Sequence, residues 1–305
     1  MKKFQNKQTG VINASDLKTF KGKLAYWLMF SVLVLVCLIC VIPAIWVLFM
    51  GFKDTQEIYA AASFFPKKLS WSIIKESISN AINVMDFWRM SLNTLIASIG
   101  DVVFSLIFAG LGGYVISRLK PSGTKGIFML IVWTMMMPGQ IRIVPLFISY
   151  LNFPFIAEIP GEVSLMNTYW PMWLNAAANT FNIILFKNHF DSIPISYVEA
   201  ARLDGCGNSR IFFNIMLPLS VPIMIYVTVM TMKEAWSSFF TPYLVLSDKF
   251  KQTLPVRIYL LNGDVSVKMN TYMMCLILSS LPMFIIFILF QKHIIGGVNV
   301  GGVKG

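Results

Sequence analysis

The stretch EAARLDGCGNSRIFFNIMLPLSVP, Glu199 to Pro222, is polar and charged within a chain that is otherwise mostly apolar. Just before it, Pro194 suits a helix start, where its missing N–H costs nothing, and Ser192 is available as a cap. A helix over 196–203 brings Val198, Ala201 and Arg202 to one side, and leaves Glu199 and Arg202, three apart, in position to pair. Asp204-Gly205-Cys206-Gly207-Asn208 then reads as a turn. A second helical run, Arg210 to Leu217, resumes before Pro218 and Pro222 open the next apolar segment. The small residues Ala200, Ala201 and Gly205 permit close approach of another surface, and Glu199 and Asp204 can fix register through charged hydrogen bonds. On these grounds alone the stretch is either a docking knob or a loop joining two membrane spans.

Composition decides for a membrane setting. Of 305 residues, 56% are hydrophobic and 13% charged, with a mean hydropathy of +0.69. A soluble domain carries about 25% charged residues to cover its surface, so lipid must cover much of this chain. The net charge of +11 is read as membrane topology, because no basic segment interleaved with aromatics points to nucleic acid. Cys37 and Cys40, spaced as CxxC, lie inside an apolar run without a second pair. They are expected as packed or lipid-facing thiols, and neither a metal site nor a disulfide framework is implied.

A spanning helix needs about 20 mainly apolar residues. Six candidates emerge, at about Leu24–Phe52, Ser91–Ser117, Gly126–Leu151, Thr168–Phe186, Pro218–Phe240 and Thr271–Phe290. The polar, lysine-bearing residues 1–23 lack the apolar core of a cleavable signal, so the first run is expected to remain as an anchor. Arg118, Lys120, Lys125, Lys187, Arg202, Arg210, Lys292 and Lys304 share one side with the N-terminal lysines, while the longer loops opposite carry fewer cations. This bias places both termini and the quoted stretch in the cytoplasm. The expected organisation is a cytoplasmic segment 1–23, a first span with an outside segment over 24–90, a core of 91–292 containing the cytoplasmic loop 188–217, and a tail of 293–305.

The quoted stretch resembles the EAA loop of permease subunits of bacterial ATP-binding-cassette importers: Glu199-Ala200-Ala201, then Gly205, then Ile215, Leu217 and Pro218. The resemblance covers roughly residues 90 to 305 and is similar to the carbohydrate branch, second-permease type. LNTLIAS from Leu92, YVISRLKPSG from Tyr114, MPGQIRIVPLF from Met137, NTYWP from Asn167 and the tail ending Val303-Lys304-Gly305 carry it further. It implies an all-α, six-helix type I importer permease in a bacterial plasma membrane. Implied partners are a second permease, two ATPases that hold ATP and Mg²⁺, and an extracellular solute-binding protein. Glu199, Ala200, Ala201, Arg202, Asp204, Gly205, Ile215, Leu217 and Pro218 are then expected to couple the permease to an ATPase, and an aspartate at Gly205 to disturb docking through added bulk. The chain departs from the family's frequent Trp-Asn-Asp/Glu-Phe by carrying Ser237 and Ser238 after Trp236, and its segment Asn152–Val163 is longer than usual.

No catalytic apparatus is legible. The glycine-rich tail carries Val303 where a phosphate loop requires lysine, Arg210 occupies the place of the third glycine of a dinucleotide motif, and no paired-carboxylate or Ser/His/Asp arrangement has usable spacing. The chain is therefore expected to be a non-enzymatic subunit without a cofactor of its own. Polar groups within spans usually face a bundle interior, which makes Gln140, Asn175, Asn179, Asn182 and Glu234 candidates for lining a substrate pathway. Pro138-Gly139-Gln140 interrupts the third span in the manner of a broken helix, and Trp133 and Trp236 are candidates for stacking on a sugar. Asp101 is placed to face a vestibule or a partner. The same residues also suit helix-to-helix hydrogen bonds, a kink and lipid packing. Sugars, polyols and glycerophosphodiesters remain open as substrates, and an ion-gradient-driven secondary transporter is the alternative mechanism.

Overall fold

The computed structural model describes residues 19–60, 63–67, 70–153 and 164–297. Lys2, Lys3, Lys7 and Lys18, most of the long segment expected over 152–163, and the end of the tail lie outside the described residues. The chain is helical, with no strand among the described residues. Its helices are α1 (Phe20–Phe52), α2 (Thr55–Ala60), α3 (Trp71–Val84), α4 (Phe87–Tyr114), α5 (Thr124–Met136), α6 (Ile143–Leu151), α7 (Trp170–Ala177) and α8 (Thr180–Ser192). There follow α9 (Ser196–Leu203), α10 (Asn208–Ile211), α11 (Leu217–Leu219), α12 (Val221–Ser237), α13 (Phe240–Val245), α14 (Leu254–Leu261) and α15 (Met269–Gly297).

Long apolar runs give long helices, and they continue through Pro43 in α1 and Pro282 in α15. α1, α4 with the π turn that extends it, and α15 are each long and apolar enough to cross a membrane. α1 leaves apolar side chains such as Leu33, 62% exposed, with no protein cover, so in water it would lose the favourable burial that folding normally provides. Bilayer hydrocarbon removes that conflict.

The other expected spans are broken. The third bends by 103° between α5 and α6: Met137 and Pro138 adopt extended ψ values of 124° and 132° before a short 3₁₀ turn, Gly139–Arg142. A residue preceding proline is driven out of the helical region and the proline lacks an N–H. The fifth bends by 75° before α12, where Ser220 leaves helical geometry ahead of Pro222. The expected span Thr168–Phe186 is realised as α7 and α8, separated at Ala178–Asn179, because Asn179 Oδ1 accepts from the Asn182 backbone N–H at 3.1 Å and caps α8. The six expected spans, of which only the third is expected to be broken, correspond among the described residues to three continuous helices, two bent pairs and this capped break.

α4 is the central post, packed by α7, α8 and α12, while α15 joins α12 to α1 and α3. Small residues let the helices approach, as expected where lipid offers no hydrophobic drive for association and contact must come from packing. A Cβ added to Gly113 would lie 2.7 Å from the Phe186 Cβ and 2.8 Å from the Lys187 backbone nitrogen, and one on Gly100 would lie 1.9 Å from the Trp173 indole nitrogen. Separate apolar clusters close the two ends of α4. Met90 packs with Met85, Leu254, Leu261 and Met274 at its start. Tyr114 packs with Phe186, Phe190, Val198, Ile211 and Phe212 at its finish.

Candidate functional site

Between these ends lies a cavity of about 840 Å³. Its polar lining comes largely from the places where helices break. Gln140 and Arg142 enter from the α5–α6 turn, Asn175 and Asn179 from the α7–α8 break, and Glu234 and Ser238 from the end of α12, facing Asp101 on α4. A broken helix leaves backbone groups and side chains without an axial partner, which is tolerated at membrane depth where they border a cavity.

Of the residues singled out from the sequence for a pathway, Gln140, Asn175, Asn179, Asn182 and Glu234 line this cavity. Trp133 and Trp236 do not. Trp133 is 57% exposed on α5, and Trp236 packs against the cluster of Met85, Leu254 and Met274. Each asparagine is also held in place: Asn175 Oδ1 accepts from the Tyr150 hydroxyl at 2.9 Å, Asn179 caps α8, and Asn182 Nδ2 donates to Ser105 Oγ at 2.8 Å. Positioning and lining are therefore not alternatives for these side chains. Arg142, inside the expected third span, also lines the cavity, and a cation two residues beyond Gln140, past a proline break, is the signal for it in the sequence. Arg142, Asp101 and Glu234 border the same space, yet no ion pair joins them among the described residues, and Asp101 Oδ1 is buried without a hydrogen-bond partner.

The second candidate is the loop at the far end of α4. α9 and the turn after it form a Schellman motif: the Gly205 N–H donates to the Arg202 carbonyl at 3.0 Å and the Cys206 N–H to the Ala201 carbonyl at 2.9 Å. Gly205 adopts φ +77° with open space around the position of a Cβ, so the requirement for glycine comes from backbone conformation. A side chain here meets no neighbour within this chain, so backbone strain stands beside the bulk expected against a partner as a second cause. Ala201 is buried beside Val198, whereas Glu199, Ala200, Arg202 and Asp204 are exposed. Ile215 and Leu217 pack against the same apolar cluster, and Pro218 is exposed at the start of α11. Three apolar side chains project from this surface, Ile195, Tyr197 and Leu203, the last 89% exposed.

Some local expectations for the loop fail. Glu199 and Arg202 form no ion pair among the described residues. Ser192 bonds back to the His189 carbonyl at 2.7 Å within α8 instead of capping α9. Pro194 stands two residues ahead of α9, its carbonyl accepting from Tyr197 N at 3.3 Å. The second arm is more irregular than one helix: α10 passes into a wider π turn, Phe212–Met216, before α11. Beside the loop, partial burial pushes the Asp191 carboxyl up, but hydrogen bonds from Lys187 and Ser117 and the charges of Lys187 and Lys120 outweigh it and hold it below its ordinary value.

Span-length apolar helices, helix breaks that converge on a polar cavity, and a capped helix–turn–helix at one end define a membrane transport subunit. The chain belongs to the family of binding-protein-dependent transport system inner membrane components, which it matches over residues 9–300. That match begins well before residue 90, where the motif resemblance starts. Among relatives, the chain is 27% identical over 303 residues, 93% of this chain and 100% of the other, to the polygalacturonan/rhamnogalacturonan transport system permease protein YtcP of Bacillus subtilis. It is 27% identical over 286 residues, 92% of this chain and 96% of the other, to the arabinooligosaccharides transport system permease protein AraQ of Halalkalibacterium halodurans. In fold it is similar to a chain of a bacterial ABC transporter involved in the import of the acidic polysaccharide alginate, with a TM-score of 0.75, 23% identity, and coverage of 90% of this chain and 98% of the other.

Proposed function

We propose that this chain is one of two permease subunits of an ATP-driven importer for a sugar or oligosaccharide. The observation that carries the reading is the loop itself, an exposed α9 closed by a Schellman turn whose buried face is continuous with the core around Tyr114 and Phe186. Such a surface receives a soluble partner without unfolding. Glu199, Ala200, Arg202 and Asp204, with Ile195 and Leu203, face an ATPase that holds ATP and Mg²⁺ and performs the hydrolysis. Ala201, Gly205, Ile215, Leu217 and Pro218 shape the loop from behind. The termini and this loop lie on the cytoplasmic side, in keeping with the bias of lysine and arginine.

Nucleotide-driven closure of two ATPases draws the loops of the two permeases together, and the attached helices tilt between two arrangements, which exposes the cavity alternately to either side. An extracellular binding protein delivers solute to the outer face. Gln140, Asn175, Asn179, Asn182 and Glu234 then offer amide and carboxylate partners to substrate hydroxyls. The oligosaccharide class is supported by the two relatives named above, a polygalacturonan/rhamnogalacturonan and an arabinooligosaccharides transport system permease protein.

The test is accumulation of labelled oligosaccharides, polyols and glycerophosphodiesters by cells with and without this chain. ATP-dependent loss of uptake of an oligosaccharide on deletion is the expected result. Uptake that survives ATP depletion but collapses with the ion gradient would establish the secondary-transporter reading instead.

A further inference from the structure

Resting on the reading of the loop as an ATPase contact, we infer that Arg118 is the positioning residue that makes α4, the end of α8 and the loop move as one body. The Arg118 guanidinium donates to the carbonyls of both Phe190 and Ile193, at the C-terminus of α8, where carbonyls lose their intrahelical partners. Its neighbour Ser117 donates to Asp191 Oδ1 at 2.5 Å, and Asp191 is paired with Lys187 at 2.7 Å. Both bonds come from one terminal nitrogen, Nη2, and the rigid plane of the guanidinium fixes the direction of its two N–H groups, which lysine's freely rotating ammonium does not.

The backbone presents these groups by an irregularity. α4 does not end at Tyr114 but passes into a π turn, Val115–Leu119, closed by the Lys120 N–H donating to the Val115 carbonyl at 2.9 Å, with Lys120 at φ +45°. π turns are rare and are frequent at functional sites. Tyr114 reaches the other arm, its hydroxyl donating to the Asn208 carbonyl at 3.3 Å, and its ring packs on Phe212 at 5.0 Å. α4 therefore grips the loop from both sides: Arg118 holds the arm that leads in and Tyr114 the arm that leads out. By contrast α12, although continuous with the loop in sequence, follows it across a 75° break. Displacement of the loop reaches α4 through side-chain bonds and α12 through a hinge.

The test uses the full complex with its partner permease and ATPases, with the four native cysteines replaced and spin labels placed at exposed Ser196, in the arm that Arg118 holds, and at exposed Ile99 on α4, about 30 Å apart by helix rise from Arg118. With Arg118 present, the expected distance is the same in nucleotide-free and ATP–vanadate-trapped states. In Arg118→Met, the ATPase stays bound and trapping moves or broadens the distance by about 5 Å, one helical turn; Arg118→Lys gives an intermediate change. An unchanged distance in Arg118→Met, or a distance that already moves with Arg118 in place, overturns the inference. Should Arg118→Met fail to assemble, Arg118→Lys carries the test, and an unchanged distance there overturns it equally. Absence of any ATPase from the complex of the unsubstituted chain would instead sink the docking reading on which the inference rests.

Discussion

The Asn182 side-chain amide donates to the Ser105 hydroxyl at 2.8 Å and reaches the Thr231 hydroxyl at 3.5 Å, so a single buried residue of α8 ties together α4 and α12. Hydrogen bonds of this kind between membrane helices contribute about 1 kcal/mol. Asn182→Ala is expected to lower stability by that order and to reduce the thermal midpoint of the purified complex in detergent. A midpoint equal to that of the parent would assign no stabilising role to the seam.

Gly113 is where α4 meets the backbone of α8. A methyl group there meets Phe186 and the Lys187 nitrogen at distances that neighbouring backbone must yield to. Overpacking of this kind costs about 1–3 kcal/mol, so Gly113→Ala should destabilise the chain. Gly126→Ala, with open space around it, should not. Comparing the two thermal midpoints checks the argument, and equal losses would contradict it.

The Asp191 carboxyl is held below its ordinary value of 3.8 by Lys187, Ser117 and Lys120 acting against its partial burial. A carboxylate whose folded value is depressed contributes stability that is present above the unfolded value and is lost as pH falls through the folded one. The parent and Asp191→Asn should therefore differ in stability at neutral pH, and the difference should shrink below about pH 4. Melting curves across pH 3 to 7 read this directly, and a gap that widens on acidification would reverse the sign.

Glu234 and Asn175 border the cavity, whereas Trp133 faces away from it. Glu234→Gln and Asn175→Ala are expected to reduce uptake several-fold with assembly unchanged, the loss of one hydrogen bond to a bound hydroxyl being worth about 1 kcal/mol. Trp133→Leu should leave uptake unaffected. Uptake assays on equal amounts of complex decide the contrast.

Much of this arrangement is legible in the sequence, for identifiable reasons. Pro138 announces its break because the missing N–H acts locally, and Gly205 announces the turn because only its backbone conformation is at stake. The Thr168–Phe186 segment misleads, since an asparagine that caps a helix and one that lines a cavity look alike until the chain folds. Trp236 is similarly ambiguous: an aromatic near the end of a helix suits either a pathway or a core, and its neighbours from α3 and α14 decide the matter. The clamp of Arg118 on Phe190 and Ile193 spans more than 70 positions and depends on a π turn that no local pattern encodes.

The central claim is that the loop from Pro194 to Pro218 is the contact with a partner ATPase. Affinity purification of the tagged chain from its own membranes in mild detergent, with and without Glu199→Ala plus Gly205→Asp, tests it most directly. Gly205→Asp strains a backbone held at φ +77°, and Glu199→Ala removes an exposed charge from α9. The expected result is recovery of a second permease with both forms and of a Walker-motif ATPase with the parent alone. Retention of the ATPase by the doubly substituted chain, with the second permease still bound, would contradict it.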